Sequence, residues 1–294
     1  MRGYPRHIPY LFLLPALLYF VVFWGYPLFS AVYLSFTSYN FLKSPRWVGV
    51  KNYVALFRDG LFYHSLIITV EFAVISQLIT MAIGLSLALA VNSKLRGREL
   101  FRVILFLPVI TSSVAISLMW GYMFDLIYGV LNSVMKALGL PPQQWVHSPS
   151  EALASLMIMT IWQWAGYHMF LFLSGLQAIP EEYYHAALID GANAFRRFFR
   201  VTLPLLKPTI LFVLVLATIG GLQVFTPVYV LTSGGPVLST YVLMYYIYQE
   251  AFHYLQAGYA DAASMIFALI ILAVVGLELW LLRKGGLTYY GQRT

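Results

Sequence analysis

The chain has 294 residues, of which 61% are hydrophobic and 10% charged, and it has no cysteine. Soluble chains carry about 25% charged residues, so this composition excludes a soluble domain and points to an integral membrane protein; the missing cysteine excludes disulfides, thiolate metal sites and a cysteine nucleophile. The formal net charge of +7 is an orientation signal rather than a nucleic-acid footprint, because Lys and Arg mark cytoplasmic loops.

A helix crosses the hydrocarbon core with about 20 apolar residues. Six stretches qualify, which makes the chain an all-α membrane protein. The first, about 10–36, follows Arg2, Arg6 and His7; its apolar run is longer than the core of a signal peptide, so it reads as an uncleaved span. The others are about 65–91, 103–124, 153–178, 209–231 and 262–282. Lys94, Arg96, Arg98 and Arg102 lie between the second and third spans, and Arg196, Arg197, Arg200 and Lys207 between the fourth and fifth. With Arg2, Arg6, Arg283, Lys284 and Arg293 they make 13 cations on one side, against Lys43, Arg46, Lys51, Arg58 and Lys136, 5 on the other. The cation-rich side is expected to be cytoplasmic, and with it both termini.

Tyr241 to Tyr254 is apolar enough to pass for a seventh span. A seventh crossing would carry Glu250 and His253 into the bilayer and move Arg283 and Lys284 outside, so the stretch reads as an outer interfacial helix. Tyr241, Tyr245, Tyr248 and Phe252 share one face of it. Val130 to Leu140, ended by Pro141-Pro142, is a shorter candidate for the same role.

The long polar interruption in the second half runs from Pro180 to Pro208. Pro180, Glu181 and Glu182 suit the first turn of a helix, and Asp190-Gly191 a stop or bend. Beyond it Phe195, Phe198, Phe199 and Thr202 recur at helical spacing, with Arg196, Arg197 and Arg200 on another face. Pro204 and Pro208 are expected to close this second helix. Such a unit either lies on anionic lipid, which the arginines suit, or is gripped by a partner, which accounts for the helix, glycine, helix spacing.

The chain holds no phosphate-cradling GxxxxGK[ST] loop and no HExxH or GxSxG pattern, so it is not read as an enzyme and no catalytic or metal-ligating residue is assigned. Proton-coupled transport calls for an acid deep in the membrane. Glu71 lies about 9 Å inside the outer end of the second span, and Glu278 near the inner end of the sixth, within snorkelling reach of Arg283 or Lys284. That weakens the reading as an ion-coupled secondary transporter; a non-transporting membrane assembly protein is the other alternative. Mid-depth in span four sit Trp162, Gln163, Trp164, Gly166, Tyr167 and His168, and in span five Gly220, Gly221 and Gln223. Aromatic faces and amides suit a polyhydroxylated solute, and small and polar residues equally suit helix packing, His168 in particular.

From His185 onward the polar stretch resembles the EAA loop of permeases of ATP-binding-cassette importers: Glu-Ala-Ala, three residues, Gly, nine residues, Ile, one residue, Leu-Pro. Here His185-Ala186-Ala187 is followed by Asp190-Gly191 and, after Val201, by Leu203-Pro204, with the spacing kept throughout. His185 stands where the family has glutamate, and Val201 where it has isoleucine. Further marks place the resemblance in the carbohydrate-uptake, maltose and glycerol-phosphate type: Tyr26-Pro27, Ser35-Phe36-Thr37, Val48-Gly49, Asn52-Tyr53, Leu95-Arg96-Gly97, Leu107-Pro108, Tyr128-Gly129, Leu131-Asn132 and Gly234-Gly235-Pro236. The resemblance implies a type I importer permease fold and a multi-pass protein of a bacterial or archaeal inner membrane. It implies as partners two ATPase subunits that bind ATP and Mg, a second, related permease, an extracytoplasmic binding protein, a sugar or sugar-like solute and membrane lipid, with no cofactor in this chain. It further implies that residues 181–208 couple ATPase closure to the spans, and that solute meets Ser113, Gln163, Trp164, Tyr167, Gly220, Gly221 and Val224.

Overall fold

The computed structural model describes residues 8–93 and 97–284. Arg2, Arg6, His7, Lys94, Leu95, Arg96 and Arg293 lie outside the described residues, as do the side chains of Arg283 and Lys284. In chain order, α1 (Ile8–Phe20) continues through one π turn, Val21–Gly25, into α2 (Tyr26–Ser35). A two-residue hairpin follows, β1 (Thr37–Ser38) antiparallel to β2 (Arg46–Trp47), then α3 (Lys51–Leu56) and the long α4 (Gly60–Asn92). Next come α5 (Arg98–Ile110), α6 (Ser113–Met123), α7 (Val130–Ala137) and α8 (Ala152–Gln177). The polar stretch forms α9 (Glu181–Ile189) and α10 (Ala194–Arg197), leading into α11 (Leu203–Leu222). The described residues close with α12 (Leu243–Tyr248) and α13 (Ala257–Lys284).

Among the described residues five helices are long and apolar enough to cross a membrane, and six if the bent pair α5 and α6 counts as one span. That pair corrects the expectation of an unbroken third span, since the helices meet at 98°. Thr111 between them is extended, at φ −82° and ψ 142°, and its hydroxyl donates to the Leu107 carbonyl at 2.9 Å. Pro108 lies inside α5, where it offers the Ile104 carbonyl no N–H, and the weakened last turn ends at Ile110.

The fifth span needs a larger correction. Instead of starting near 209 and ending near 231, one apolar helix runs from Ala194 to Leu222, and Pro204 and Pro208 sit inside it. The π turn Phe198–Thr202 is the physical reason: the Leu203 N–H reaches back to the Phe198 carbonyl, widening the helix just where the Pro204 ring would otherwise press on the preceding turn. The Tyr241 to Tyr254 stretch is α12 followed by a π turn, Gln249–His253, too short to cross. Glu278 accepts a 2.6 Å hydrogen bond from the Thr218 hydroxyl, and the side chains of Arg283 and Lys284, toward which it was expected to snorkel, lie outside the described residues.

The chain divides into two compact units. One comprises Tyr63–Tyr245 and Ile271–Thr294. Its main core interleaves α4 (Ala88, Val91), α8 (Met169, Phe172, Leu173, Leu176) and α11 (Leu206, Val213). A second cluster joins Ile116, Trp120 and Phe124 to Val146 and Met159. Two glycines set how closely these helices approach. A methyl at Gly166 would run into the Leu105 carbonyl, so the main chains of α5 and α8 touch; one at Gly221 would meet Gln77 and the Cα of Ala73 on α4.

The other unit comprises Met1–Phe62 and Tyr246–Ile270. The Asn52 amide donates to the carbonyls of Ser35 and Thr37, each at 2.9 Å, and so pins α3 to the end of α2. Asp59 Oδ2 accepts from the hydroxyls of Tyr246 at 2.6 Å and Tyr259 at 3.0 Å, tying α12 and α13 to the start of α4. Leu56, Phe62 and Tyr246 are buried here.

Candidate functional site

Within the larger unit, α4, α6, α8 and α11 surround a cavity of about 220 Å³. Helical spacing on α8 brings Thr160, Gln163, Trp164, Tyr167 and His168 to its wall, at i, i+3, i+4, i+7 and i+8. The Gln163 amide is almost fully buried and donates to the Ser113 hydroxyl at 3.0 Å, so the bend between α5 and α6 delivers Ser113 to the site. Trp164 and Tyr167 meet edge to face, ring centroids 5.8 Å apart. Gly220 supplies space: a methyl there would find no heavy atom within 4 Å. Where α11 ends, Gln223, Val224, Phe225 and Thr226 complete the lining.

Six of the seven expected contacts therefore share one cavity: Ser113, Gln163, Trp164, Tyr167, Gly220 and Val224. Gly221 is not among the lining residues; it serves the packing of α11 on α4. Sequence reasoning missed Gln77, whose signal was an amide in an otherwise apolar span, and took His168 for packing. The ring of His168 bonds to the backbone of Thr80, yet its Nδ1 and the Thr160 hydroxyl are buried without a hydrogen-bond partner among the described residues. Unmet polar groups in a cavity wall are places for a solute hydroxyl or a water. The lining carries no Asp, Glu, Lys or Arg. Such a wall binds a neutral polar molecule by stacking and hydrogen bonds, and it lacks the paired carboxylates that acid-base catalysis calls for.

The polar stretch offers a second site. α9 carries Glu181 and Glu182 in its first turn and ends at Asp190. Gly191 then takes φ +72°, and the Ala192 N–H bonds the Ala187 carbonyl at 2.9 Å. Asn193 caps α10 by accepting the Arg196 N–H at 2.9 Å. The Tyr184 and Thr202 hydroxyls, 3.2 Å apart, tie α9 to the π turn before α11. The apolar side chains of the unit face outward: Ile189 is 87% exposed and Phe195 71%. His185, exposed, lies with Nε2 3.9 Å from Glu181 Oε2.

Comparison with known proteins agrees with this architecture. The profile of the binding-protein-dependent transport system inner membrane component family matches residues 80–284. The chain is 36% identical to the probable ABC transporter permease protein YesP of Bacillus subtilis over 94% of this chain and 89% of that one. It is 35% identical to the trehalose/maltose transport system permease protein MalF of Thermococcus litoralis over 94% and 92%. A chain in the crystal structure of a bacterial ABC transporter involved in the import of the acidic polysaccharide alginate superposes with a TM-score of 0.83, 25% identity and 96% coverage of both chains. The chain belongs to the family of binding-protein-dependent transport system inner membrane components, as a multi-pass permease of the ABC-transporter class.

Proposed function

We propose that this chain is one of two related permease subunits of an importer for a sugar or sugar-like solute, energised by a separate pair of ATPase subunits and supplied by an extracytoplasmic binding protein. The observation that carries the reading is the uncharged cavity in which Gln163, Ser113, Trp164 and Tyr167 meet beside the space left by Gly220. Relatives named for trehalose and maltose, arabinooligosaccharides and lactose support a carbohydrate solute, and a structural neighbour crystallised with a pentasaccharide-bound periplasmic protein supports the delivery step. The outward-facing apolar side chains around Gly191 support residues 181–208, with Glu182, His185, Ala186, Ala187, Asp190, Leu203 and Pro204, as the surface an ATPase grips. The charge count along the chain supports a cytoplasmic position for that surface and for both termini.

The test is ATP hydrolysis by the reconstituted complex with binding protein loaded with candidate sugars. Hydrolysis is expected to rise with one class of sugar. Gly191→Val forces a β-branched residue into a left-handed backbone and is expected to lower the sugar-stimulated component roughly 5- to 150-fold, the range of a typical coupling free energy. Unchanged stimulation in that variant overturns the coupling role, and stimulation by peptides instead of sugars overturns the carbohydrate reading.

A further inference from the structure

Four of the five cations on the side opposite the charge-rich loops, Lys43, Arg46, Lys51 and Arg58, fall in one short segment of the smaller unit. None of them is paired with a carboxylate among the described residues. Asp59, the acid next to them in sequence, is already engaged by Tyr246 and Tyr259.

Lys43 and Arg46 line a cavity of about 270 Å³ whose other walls include Ser38, Ser44, Asn52 and Gln256, with no carboxylate in the lining. Its shape is fixed by main-chain bonds. The hairpin register sets Arg46 opposite Ser38, and the Gly258 N–H donates to the Tyr39 carbonyl at 3.1 Å, closing the hairpin turn against the start of α13.

Around this polar, cationic pocket the surface is apolar and aromatic. Leu42 is 77% exposed and Trp47 64%. Phe41 stacks on Phe252, centroids 6.0 Å apart, and Trp47 on Phe36 at 5.5 Å. The pocket also lies where α2 ends and α13 begins, at the ends of two apolar spans.

A soluble anion would use the cations and leave the apolar rim wet. A molecule with an anionic head and an acyl tail uses both, and the level at which spans end is where such heads lie. Arg offers paired N–H groups matched to phosphate oxygens, and Lys a compact charge beside them. We propose that this pocket seats the phosphate headgroup of an anionic phospholipid in the leaflet opposite the ATPase-facing side; the choice of leaflet rests on the orientation given above, the binding does not.

The test needs neither the ATPase nor a solute. The full chain, in detergent with equal phosphatidylglycerol and phosphatidylcholine, is examined by native mass spectrometry for retained lipid. The wild type is expected to keep phosphatidylglycerol in preference, and Lys43→Gln/Arg46→Gln to keep it roughly 10- to 30-fold less well, two surface cations' worth of attraction. Lys136→Gln serves as the control cation and is expected to match the wild type, and unchanged melting temperatures verify that the variants fold. Equal retention by the double variant overturns the proposal. So does displacement of the lipid by millimolar inorganic phosphate, which would mark a site for a free anion. If the double variant keeps its lipid but loses affinity for the solute-loaded binding protein, the pocket takes an acidic side chain of that partner and the proposal fails. Sugar-stimulated ATP hydrolysis in the complex is a separate readout, so failure of the transport reading would leave this result standing.

Discussion

A single methyl group distinguishes the roles of the glycines in the spans. At Gly220 it would meet no heavy atom within 4 Å, and at Gly166 it would collide with the Leu105 carbonyl. Gly220→Ala is therefore expected to leave folding unchanged, and Gly220→Leu to fill the cavity and raise the sugar concentration needed for half-maximal ATP hydrolysis. Gly166→Ala is expected to cost about 1–3 kcal/mol by overpacking against main chain that cannot rotate away, seen as a lower melting temperature of the purified chain. The sequence brought out Gly220 and Gly221 together as a lining pair. Neighbours on a helix point about 100° apart, and only the packing of α11 on α4 decides that one faces the cavity and the other Ala73. Gln163, Trp164 and Tyr167 stand out in the sequence as an amide and two aromatics close together in an apolar span, and all three line the cavity. Gln77 does not stand out, because one amide in an apolar span has no pattern to give it away.

At the scale of elements, α9 and the bend at Gly191 could be read from residue types alone, since a proline start, two acids and a glycine stop each act locally. The helix after it could not. Pro204 and Pro208 are helix breakers by every local rule, and the π turn at Phe198–Thr202 that accommodates Pro204 has no sequence mark. The element pair α12 and α13 carries a pH dependence of its own. Burial, with the Asp59 charge second, pushes the Glu250 carboxyl from 4.5 up to about 7. A raised acid binds its proton more firmly in the folded chain, so stability is expected to fall as pH rises from about 4.5 to 7 and to level off above that. Burial also pushes the Asp59 carboxyl up, but hydrogen bonds from Tyr246, Tyr259 and the Leu61 N–H outweigh it and hold the group below its usual value. Its contribution is lost only at more acid pH, as the carboxylate protonates through that lowered value, outside the Glu250 window. Melting temperatures between pH 4.5 and 8 test this. The wild type should decline across the window, and Glu250→Gln should decline less steeply toward its upper end.

For the whole molecule, the long apolar runs and the family were legible in the sequence, because a membrane demands such runs and the polar stretch from Pro180 to Pro208 keeps a fixed spacing. The break in the third span and the division into two units were not, since both depend on contacts between distant segments. Orientation is open to direct measurement, because the natural chain has no cysteine to interfere. A single cysteine replacing Ala192 is expected to react with a membrane-impermeant maleimide only in inverted vesicles, and one replacing Ser44 only in right-side-out cells; the reverse pattern would invert the assigned topology. One contact also limits how the protein can move. With the Leu105 carbonyl resting on Gly166, the third and fourth spans share a fulcrum: they can tilt about that point, but sliding would drag a carbonyl over the bulkier side chains on either side. Opening and closing of the pathway then becomes a lever motion rather than a piston stroke. A short cross-link between cysteines replacing Phe106 and Phe170, whose rings lie 4.8 Å apart beside the contact, should leave turnover intact, and a transporter stalled by that link would show that the two helices slide after all.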